Sequence, residues 1–167
     1  MELQRPALWM KDAVLEFTRD WEASGETIVP MAARLNGRTY EEWLENTLAM
    51  ETKAPANFVT ASTYFGFAQD GRLAGAIQLR HRLNDLLLQS GGHIGYGVRP
   101  SMRRRGYASA MLRAALPHAA ALGLTRVMVS CDQTNVASAR TIERCGGVLE
   151  NEVLEEGRRI RRYWITL

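Results

Sequence analysis

Cysteine is scarce in this sequence, which has only Cys131 and Cys145 among its 167 residues. Two thiols do not make the disulfide framework that staples small secreted domains. A chain of this length buries roughly two-thirds of its unfolded surface and folds without such a staple. We therefore expect reduced thiols and a cytoplasmic location.

Long apolar runs are also missing. No stretch approaches the roughly 18 apolar residues that a membrane-spanning helix needs. Charged side chains at Glu2, Arg5, Lys11 and Asp12 interrupt the first dozen positions, so we expect no signal peptide. A charged fraction of 23% beside a hydrophobic fraction of 46% is typical of a globular domain, so the sequence predicts no membrane partner.

Positive charge is only slightly in excess, with a net charge of +3, but arginines are unevenly placed. Four of them lie within residues 99–105 and four more within residues 158–162. Such a cluster is typical of a nucleic-acid contact, of a site for a small anion, or of a solvated face. The surroundings of the first cluster decide between these interpretations.

The first half of the chain predicts two helices and a hairpin. Residues 12–21 repeat apolar positions at helical spacing, and a second helix is expected from the N-cap Thr39 to Met50. The side chains expected to face inward are Val14, Phe17 and Trp21 in the first helix and Trp43, Leu44 and Leu48 in the second. Strands at 62–68 and 73–79 flank Asp70-Gly71, a turn in which both positions favour a positive φ.

The second half alternates strands and helices. We expect a strand at 93–98, a helix from Gly106 to Leu122 that kinks or breaks at Pro117, and a strand at 126–131. A helix capped by Asn135 and strands at 148–154 and 159–166 follow. The strand–helix–strand unit of residues 93–131 predicts a parallel, right-handed crossover. The whole pattern predicts one α/β layered domain over residues 1–167, with a mixed central sheet flanked by helices.

The first arginine cluster lies directly before the predicted helix at Gly106. A helix start leaves about four backbone N–H groups unpaired, and its dipole adds roughly half a positive charge. Gly106 lets a ligand approach the backbone closely, Ala108 keeps the next turn small, and Arg103–Arg105 supply charge. The segment therefore predicts a diphosphate site. A plain turn with solvated arginines is the alternative that these residues leave open.

The same segment resembles the pyrophosphate loop of the GNAT superfamily of acyl-CoA-dependent N-acetyltransferases. Its pattern is Arg/Gln-x-x-Gly-x-Gly/Ala, and Arg103, Gly106 and Ala108 occupy the patterned places. The strand residues 96–98 before Pro100, and the helix that begins at Asn135, are also similar to the family. Resemblance is strong over residues 93–149, and the runs 80–84 and 91–96 resemble a bacterial branch of predicted acetyltransferases.

The resemblance implies a fold, a co-substrate and a set of contacts. The backbone N–H groups at Arg104, Arg105, Gly106, Tyr107 and Ala108 would hold the pyrophosphate of acetyl-CoA, with the Arg103 side chain nearby. Backbone groups of Tyr96, Gly97 and Val98 would pair with the thioester and the pantetheine arm as an added strand does. The Tyr96 N–H would be the oxyanion donor. Asn135 and Ser138 would contact the pantetheine or the thiol end.

The sequence departs from the family at the proton-transfer groups. Many members carry a tyrosine that protonates the leaving thiolate, and the matching position here is Ile142. Ser138, Tyr163 or water would have to substitute. No carboxylate lies on the strand 93–98, so His93 is the candidate general base. His81 and the neighbouring Arg80 and Asn84 are the alternative pocket residues. A structural histidine at the strand start is the competing interpretation.

These observations predict an enzyme that transfers an acetyl group from acetyl-CoA to an unidentified amine by direct attack in a ternary complex. The candidate catalytic residues are His93, Tyr96 and Ser138. We expect no metal, no nucleic acid and either a monomer or a homodimer. A non-catalytic acyl-CoA-binding module of the same fold is the alternative, because Ile142 replaces the expected acid.

Overall fold

A computed structural model describes residues 1–167. It contains seven strands and four α-helices. In chain order they are β1 (Leu3–Gln4), α1 (Lys11–Ala23), α2 (Tyr40–Ala49), β2 (Ala61–Phe67), β3 (Leu73–Arg80), β4 (Ile94–Val98), α3 (Tyr107–Ala121), β5 (Arg126–Asp132), α4 (Val136–Arg144), β6 (Val148–Glu155) and β7 (Arg158–Thr166). A short helical turn at 87–91 precedes β4. No helix is long and apolar enough to cross a membrane.

The strands form two antiparallel sheets, ordered β1-β2-β3-β4 and β5-β7-β6. The α/β layered class is confirmed, but the predicted mixed sheet with parallel pairing of β4 and β5 is wrong. These two strands meet at one point, where the His93 N–H donates to the Met128 carbonyl at 2.7 Å. The Met128 N–H then donates to the His93 side chain at Nδ1, at 2.9 Å. Because a side chain takes the place of the next backbone acceptor, the ladder does not continue and the strands separate.

Two hydrophobic clusters cover opposite faces of the β1-β2-β3-β4 sheet. The smaller cluster packs α1 and α2 against β2 and β3, and Val14, Phe17 and Trp21 supply the buried stripe of α1. The larger cluster lies under α3 and α4 and includes Ile94 and Val98 from β4. Alternation along β4 therefore points these two side chains toward α3 and α4, and turns Gly95 and Gly97 toward the α1–α2 side.

Helix α2 begins with the predicted capping box, in which the Glu42 N–H donates to the Thr39 hydroxyl and the Glu42 carboxylate accepts from the Thr39 N–H. The prediction that Leu48 faces inward is wrong, because its side chain is 40% exposed while Thr47 is buried. Residues 40, 43, 44 and 47 form the inward stripe at helical spacing. Leu48 falls beyond its edge.

Two local predictions about turns and breaks also need correction. Only Gly71 of the β2–β3 turn has a positive φ, +79°, and its N–H donates to the Ala68 carbonyl at 3.0 Å. The connection is therefore a three-residue loop with one left-handed glycine, rather than a turn with two left-handed residues.

Helix α3 continues through Pro117 without the break that was one of the two expected outcomes. Pro117 is exposed, so the carbonyl that loses its helical donor can face water.

Candidate active site

The edge of β4 that faces β5 carries unpaired backbone groups. The Arg99 N–H donates to the Ala74 carbonyl at 2.9 Å, and the Arg80 N–H donates to the His93 carbonyl at 2.8 Å. Because hydrogen-bonded pairs alternate along an antiparallel ladder, Tyr96 lies in a non-hydrogen-bonded pair with Ile77. Its N–H and C=O, like those of Val98 two residues on, point away from β3. The Tyr96 N–H and C=O and the Val98 N–H are therefore free in the gap between the two sheets, whereas the Val98 carbonyl accepts from Arg103 Nε.

At the C-terminal end of β4, the chain enters α3 through a loop rich in free donors. The N–H groups of Arg104, Arg105, Gly106, Tyr107, Ala108 and Ser109 donate to no backbone or side-chain acceptor, and the first helical bond comes from Ala110. Arg104 and Gly106 both have positive φ, 63° and 82°, which turns this stretch of backbone outward. Residues 103–106 are exposed. Six consecutive free donors at a helix start can bind an anion.

The three arginines of the loop do different things. The Arg103 side chain forms a bidentate ion pair with Glu26 at 2.8 and 2.9 Å, and its Nε donates to the Val98 carbonyl at 3.2 Å. Its guanidinium also lies 5.0 Å from the Trp21 ring centroid. Arg103 thus contacts the α1–α2 connection, and its expected place beside the pyrophosphate stays a prediction. The Arg104 and Arg105 side chains are exposed, and Arg105 lines an open cavity of about 380 Å³.

Across the gap, α4 presents the residues expected to contact the pantetheine arm. The Asn135 side chain caps α4 by accepting from the Ser138 N–H at 3.0 Å. The Ser138 hydroxyl lies 2.9 Å from the Tyr96 hydroxyl, which reaches it from β4. Burial raises the pKa of Tyr96 to about 12, so the phenol keeps its proton at neutral pH. A protonated hydroxyl pair therefore lies between β4 and α4.

His93 does not fit the role of general base. It is only 5% exposed, and its Nδ1 accepts the Met128 N–H. Acceptance at Nδ1 places the proton of the neutral ring on Nε2, so the ring has no free lone pair for a substrate. Burial, aided by the charge of Arg80, lowers the pKa of His93 to about 4. The ring remains neutral and joins the two sheets, which corrects the prediction.

The face of β4 that carries Gly95 and Gly97 lies on the α1–α2 side and would be the acceptor face, and the structure shows it partly filled. A Cβ on Gly97 would collide with the Val29 carbonyl oxygen of the α1–α2 connection. A Cβ on Gly95 would only touch its neighbours, at 3.6 Å from both the Pro30 Cβ and an Arg80 nitrogen. The acceptor face of β4 is therefore walled by the connection at Gly97 and is less crowded at Gly95.

The other residues near the gap that could take part in proton transfer or act as a nucleophile have structural roles. Ile142 is fully buried in the larger cluster. Burial raises the pKa of the Cys131 thiol, which keeps it protonated and a poor nucleophile. The second ring nitrogen of His81, Nε2, lies 2.9 Å from the Ser62 hydroxyl. No three His, Cys, Asp or Glu side chains converge as a metal site would require.

Comparison with known proteins now decides the family. The model of the acetyltransferase (GNAT) domain matches residues 5–148. The chain belongs to the GNAT acetyltransferase family. The prediction of an acyl-CoA-dependent N-acetyltransferase is thereby confirmed at family level. A search of curated proteins finds no significant relative.

Solved GNAT structures share the fold at low identity. The spermidine N-acetyltransferase SpeG from Vibrio cholerae is 16% identical, with a TM-score of 0.67 over 99% of this chain and 95% of that one. An acetyltransferase from Salmonella typhimurium that modifies the N-terminal serine of ribosomal protein L7/L12 is 17% identical, with a TM-score of 0.68 over 99% and 94%. RimL in complex with coenzyme A is 18% identical, with a TM-score of 0.67 over 99% and 93%.

Three features of this GNAT domain escape sequence reasoning. The partner of Arg103 lies 77 positions away, so no local pattern signals it. The contact between Tyr96 and Ser138 joins β4 to α4 across 42 positions. Arg80 was expected only as an alternative pocket residue beside His81, and no local sequence pattern shows that its guanidinium turns toward Gly95. Each feature depends on which elements pack together, which the sequence pattern leaves open.

Proposed function

We propose that this GNAT domain transfers an acetyl group from acetyl-CoA to an amine by direct attack in a ternary complex. The observation that carries the proposal is the run of six unpaired N–H groups from Arg104 to Ser109. GNAT acetyltransferases use acetyl-CoA, and a diphosphate supplies the acceptor oxygens that these donors lack. The exposed side chains of Arg104 and Arg105 add two positive charges beside them.

The open edge of β4 then receives the rest of the co-substrate. Its backbone at Tyr96, Gly97 and Val98 is extended, and the N–H and C=O of Tyr96 and the N–H of Val98 can pair with the amides of a pantetheine arm as with an added strand. The Tyr96 N–H is placed to donate to the thioester oxygen, where negative charge develops during attack. Asn135, which caps α4, and Ser138 in its first turn would contact the pantetheine arm from the opposite side.

Bond making and breaking follow from this placement. The neutral amine forms the new C–N bond, the thioester C–S bond breaks, and the sulfur leaves as a thiolate. The Tyr96 hydroxyl, bonded to Ser138, is placed to give its proton to that thiolate and recover one from solvent through Ser138. This pair replaces the acid that Ile142 does not supply.

The amine loses its proton to water, because the His93 imidazole already accepts the Met128 N–H at Nδ1. The pH dependence of kcat/KM should therefore follow the ionisation of the acceptor amine itself. Two acceptors whose amine pKa values differ by about two units should give profiles displaced by a similar amount. Profiles that coincide would assign proton removal to a fixed group of the protein.

Calorimetry with acetyl-CoA, together with thiol release over a panel of amines, tests the proposal. Replacing both Arg104 and Arg105 with glutamine should weaken acetyl-CoA binding by roughly 5- to 30-fold, since each exposed charge contributes about 0.5–1 kcal/mol. The matched control replaces Arg158 and Arg159, two exposed arginines of the other cluster, and should leave binding unchanged.

Each outcome of this experiment has a defined meaning. Equal losses in the two double variants would remove the loop from the site. Tight acetyl-CoA binding without transfer to any amine would favour the non-catalytic binding module. The acceptor, the oligomeric state and the cytoplasmic location are predictions that this experiment leaves for others.

A further inference from the structure

Arg80 lies on the acceptor face of the sheet. It ends β3 opposite His93, and cross-strand neighbours share a face, so its side chain lies on the same side as Gly95. Its Nη1 donates to the carbonyls of Gly91 and Gly92 at 2.7 and 3.0 Å. Its Nη2 lies 3.6 Å from the position that a Cβ on Gly95 would occupy. The guanidinium is thus anchored by one nitrogen beside the less crowded part of the acceptor face.

The charge of Arg80 has no carboxylate partner. Arg99 pairs with Glu16 and Asp20, and Arg161 and Arg162 likewise pair with glutamates. The two partners of Arg80 are neutral carbonyls, and burial alone lowers its pKa without an opposing carboxylate. Arginine stays charged in proteins. The Arg80 guanidinium is therefore a half-buried cation at this face, and its Nε and Nη2 make no hydrogen bond.

We propose that Arg80 binds an anionic group of the acceptor, so that the amine substrate also carries a carboxylate or a similar oxyanion. This inference rests on the acetyl transfer proposed above. The free edge formed by Nε and Nη2 has the planar, two-donor geometry that suits a carboxylate. Gly95 carries no side chain to separate that edge from the neighbouring Tyr96, whose N–H faces the thioester.

The same charge argues against a polycationic acceptor. A polyamine placed with its reacting nitrogen at Tyr96 would bring a second ammonium toward the Arg80 guanidinium, and like charges disfavour such binding. A peptide N-terminus offers an amide rather than a carboxylate near its amine. Polyamines and peptides are therefore the comparison classes in the test.

Matched acceptors test the proposal by kcat/KM. Alanine and alaninamide differ only in the carboxylate, and spermidine and a short peptide complete the set. We expect wild-type kcat/KM, compared at the concentration of neutral amine, to favour alanine by roughly 10- to 100-fold, the range of one charge-assisted hydrogen-bond pair. Arg80→Gln should remove this preference with acetyl-CoA affinity unchanged, and Arg80→Lys should restore part of it. Arg82→Gln, the loss of an exposed arginine two positions on, is the control and should keep the preference.

Binding of the products separates this inference from the activity it rests on. N-acetylalanine should bind wild type roughly 10- to 100-fold more tightly than N-acetylalaninamide, and about equally to Arg80→Gln. This ratio requires no turnover, so it reports on Arg80 even if no acceptor is acetylated. If Arg80→Gln does not fold, the wild-type ratios and Arg80→Lys decide. A wild type that favours spermidine, the peptide or the amide, or an equal loss for both products in Arg80→Gln, would overturn the proposal.

Discussion

Gly106 offers the sharpest test of the anion loop, because the chain provides a glycine with the same backbone geometry elsewhere. Gly106 and Gly123 both have φ of +82°, and a Cβ on either would meet no atom within 4 Å. Alanine at each position should therefore add the same left-handed strain without a steric clash, about 1–2 kcal/mol. For a chain of this size that strain lowers Tm by roughly 2–8 °C.

The two variants should differ in ligand binding. Gly106 lies among the six free donors, whereas Gly123 closes α3 at its other end, 15 residues of helix or roughly 22 Å away. Relief of the strain at Gly106 would turn its N–H and that of Tyr107 away from the diphosphate. Losing one charge-assisted hydrogen bond weakens binding by roughly 10- to 100-fold. We expect this loss for acetyl-CoA in Gly106→Ala and none in Gly123→Ala.

Thermal unfolding and calorimetry on the same samples check both halves of the argument. Similar Tm values with a large difference in Kd would support the loop as the diphosphate site. Unchanged affinity in a folded Gly106→Ala protein, or an equal loss in Gly123→Ala, would refute the reasoning. Coenzyme A and its dephospho form should be affected alike, because both carry the diphosphate.

Four further predictions follow from the site. The pKa of His93 is about 4 in the folded protein and 6.5 for an ordinary histidine, so the unfolded chain binds the proton more tightly. The free energy of unfolding should therefore fall by up to about 3 kcal/mol as the pH drops from about 6.5 to 4. His93→Gln should flatten this slope between pH 7 and 5 in denaturant titrations, and His118→Gln should retain it. Tyr96→Phe should lower kcat by roughly 10- to 100-fold at unchanged acetyl-CoA affinity, while Tyr163→Phe turns over normally in the same thiol-release assay. Glu26→Gln should raise KM for the amine more than Kd for acetyl-CoA, because the ion pair with Arg103 holds the α1–α2 connection beside Gly97. Equal increases in the two constants would contradict this role. Gel-shift titrations should show no binding of duplex DNA or RNA at physiological salt, and sub-micromolar binding there would reopen the nucleic-acid interpretation.

The elements of this fold were predictable where local chemistry determines them. The capping box at Thr39 and the left-handed Gly123 after α3 depend on residues within a few positions of each other. The bounds of β5 and β7 were predicted to within one residue at each end. The separation of β4 from β5 was not predictable, because it depends on a bond between His93 and a backbone group 35 positions away.

The candidate site divides in the same way. The loop at Gly106 carries its donors in consecutive residues, so a motif identifies it. The chemistry of single side chains depends on distant partners, and for this reason the sequence wrongly predicted His93 as the general base. Its spacing along the strand suggested a base facing the substrate, yet the Met128 N–H occupies the nitrogen that a base would use. A sequence pattern does not show which ring nitrogen of a histidine carries the proton.

The ion pair between Arg103 and Glu26 joins the loop at Gly106 to the α1–α2 connection. Arg103 begins the loop that would hold the diphosphate, and Glu26 lies three residues before Val29, which walls the acceptor face at Gly97. A ligand that orders the loop thereby also orders the wall, since the bidentate contact transmits position. We expect acetyl-CoA to tighten amine binding, and thermodynamic reciprocity then requires the amine to tighten acetyl-CoA binding by the same factor.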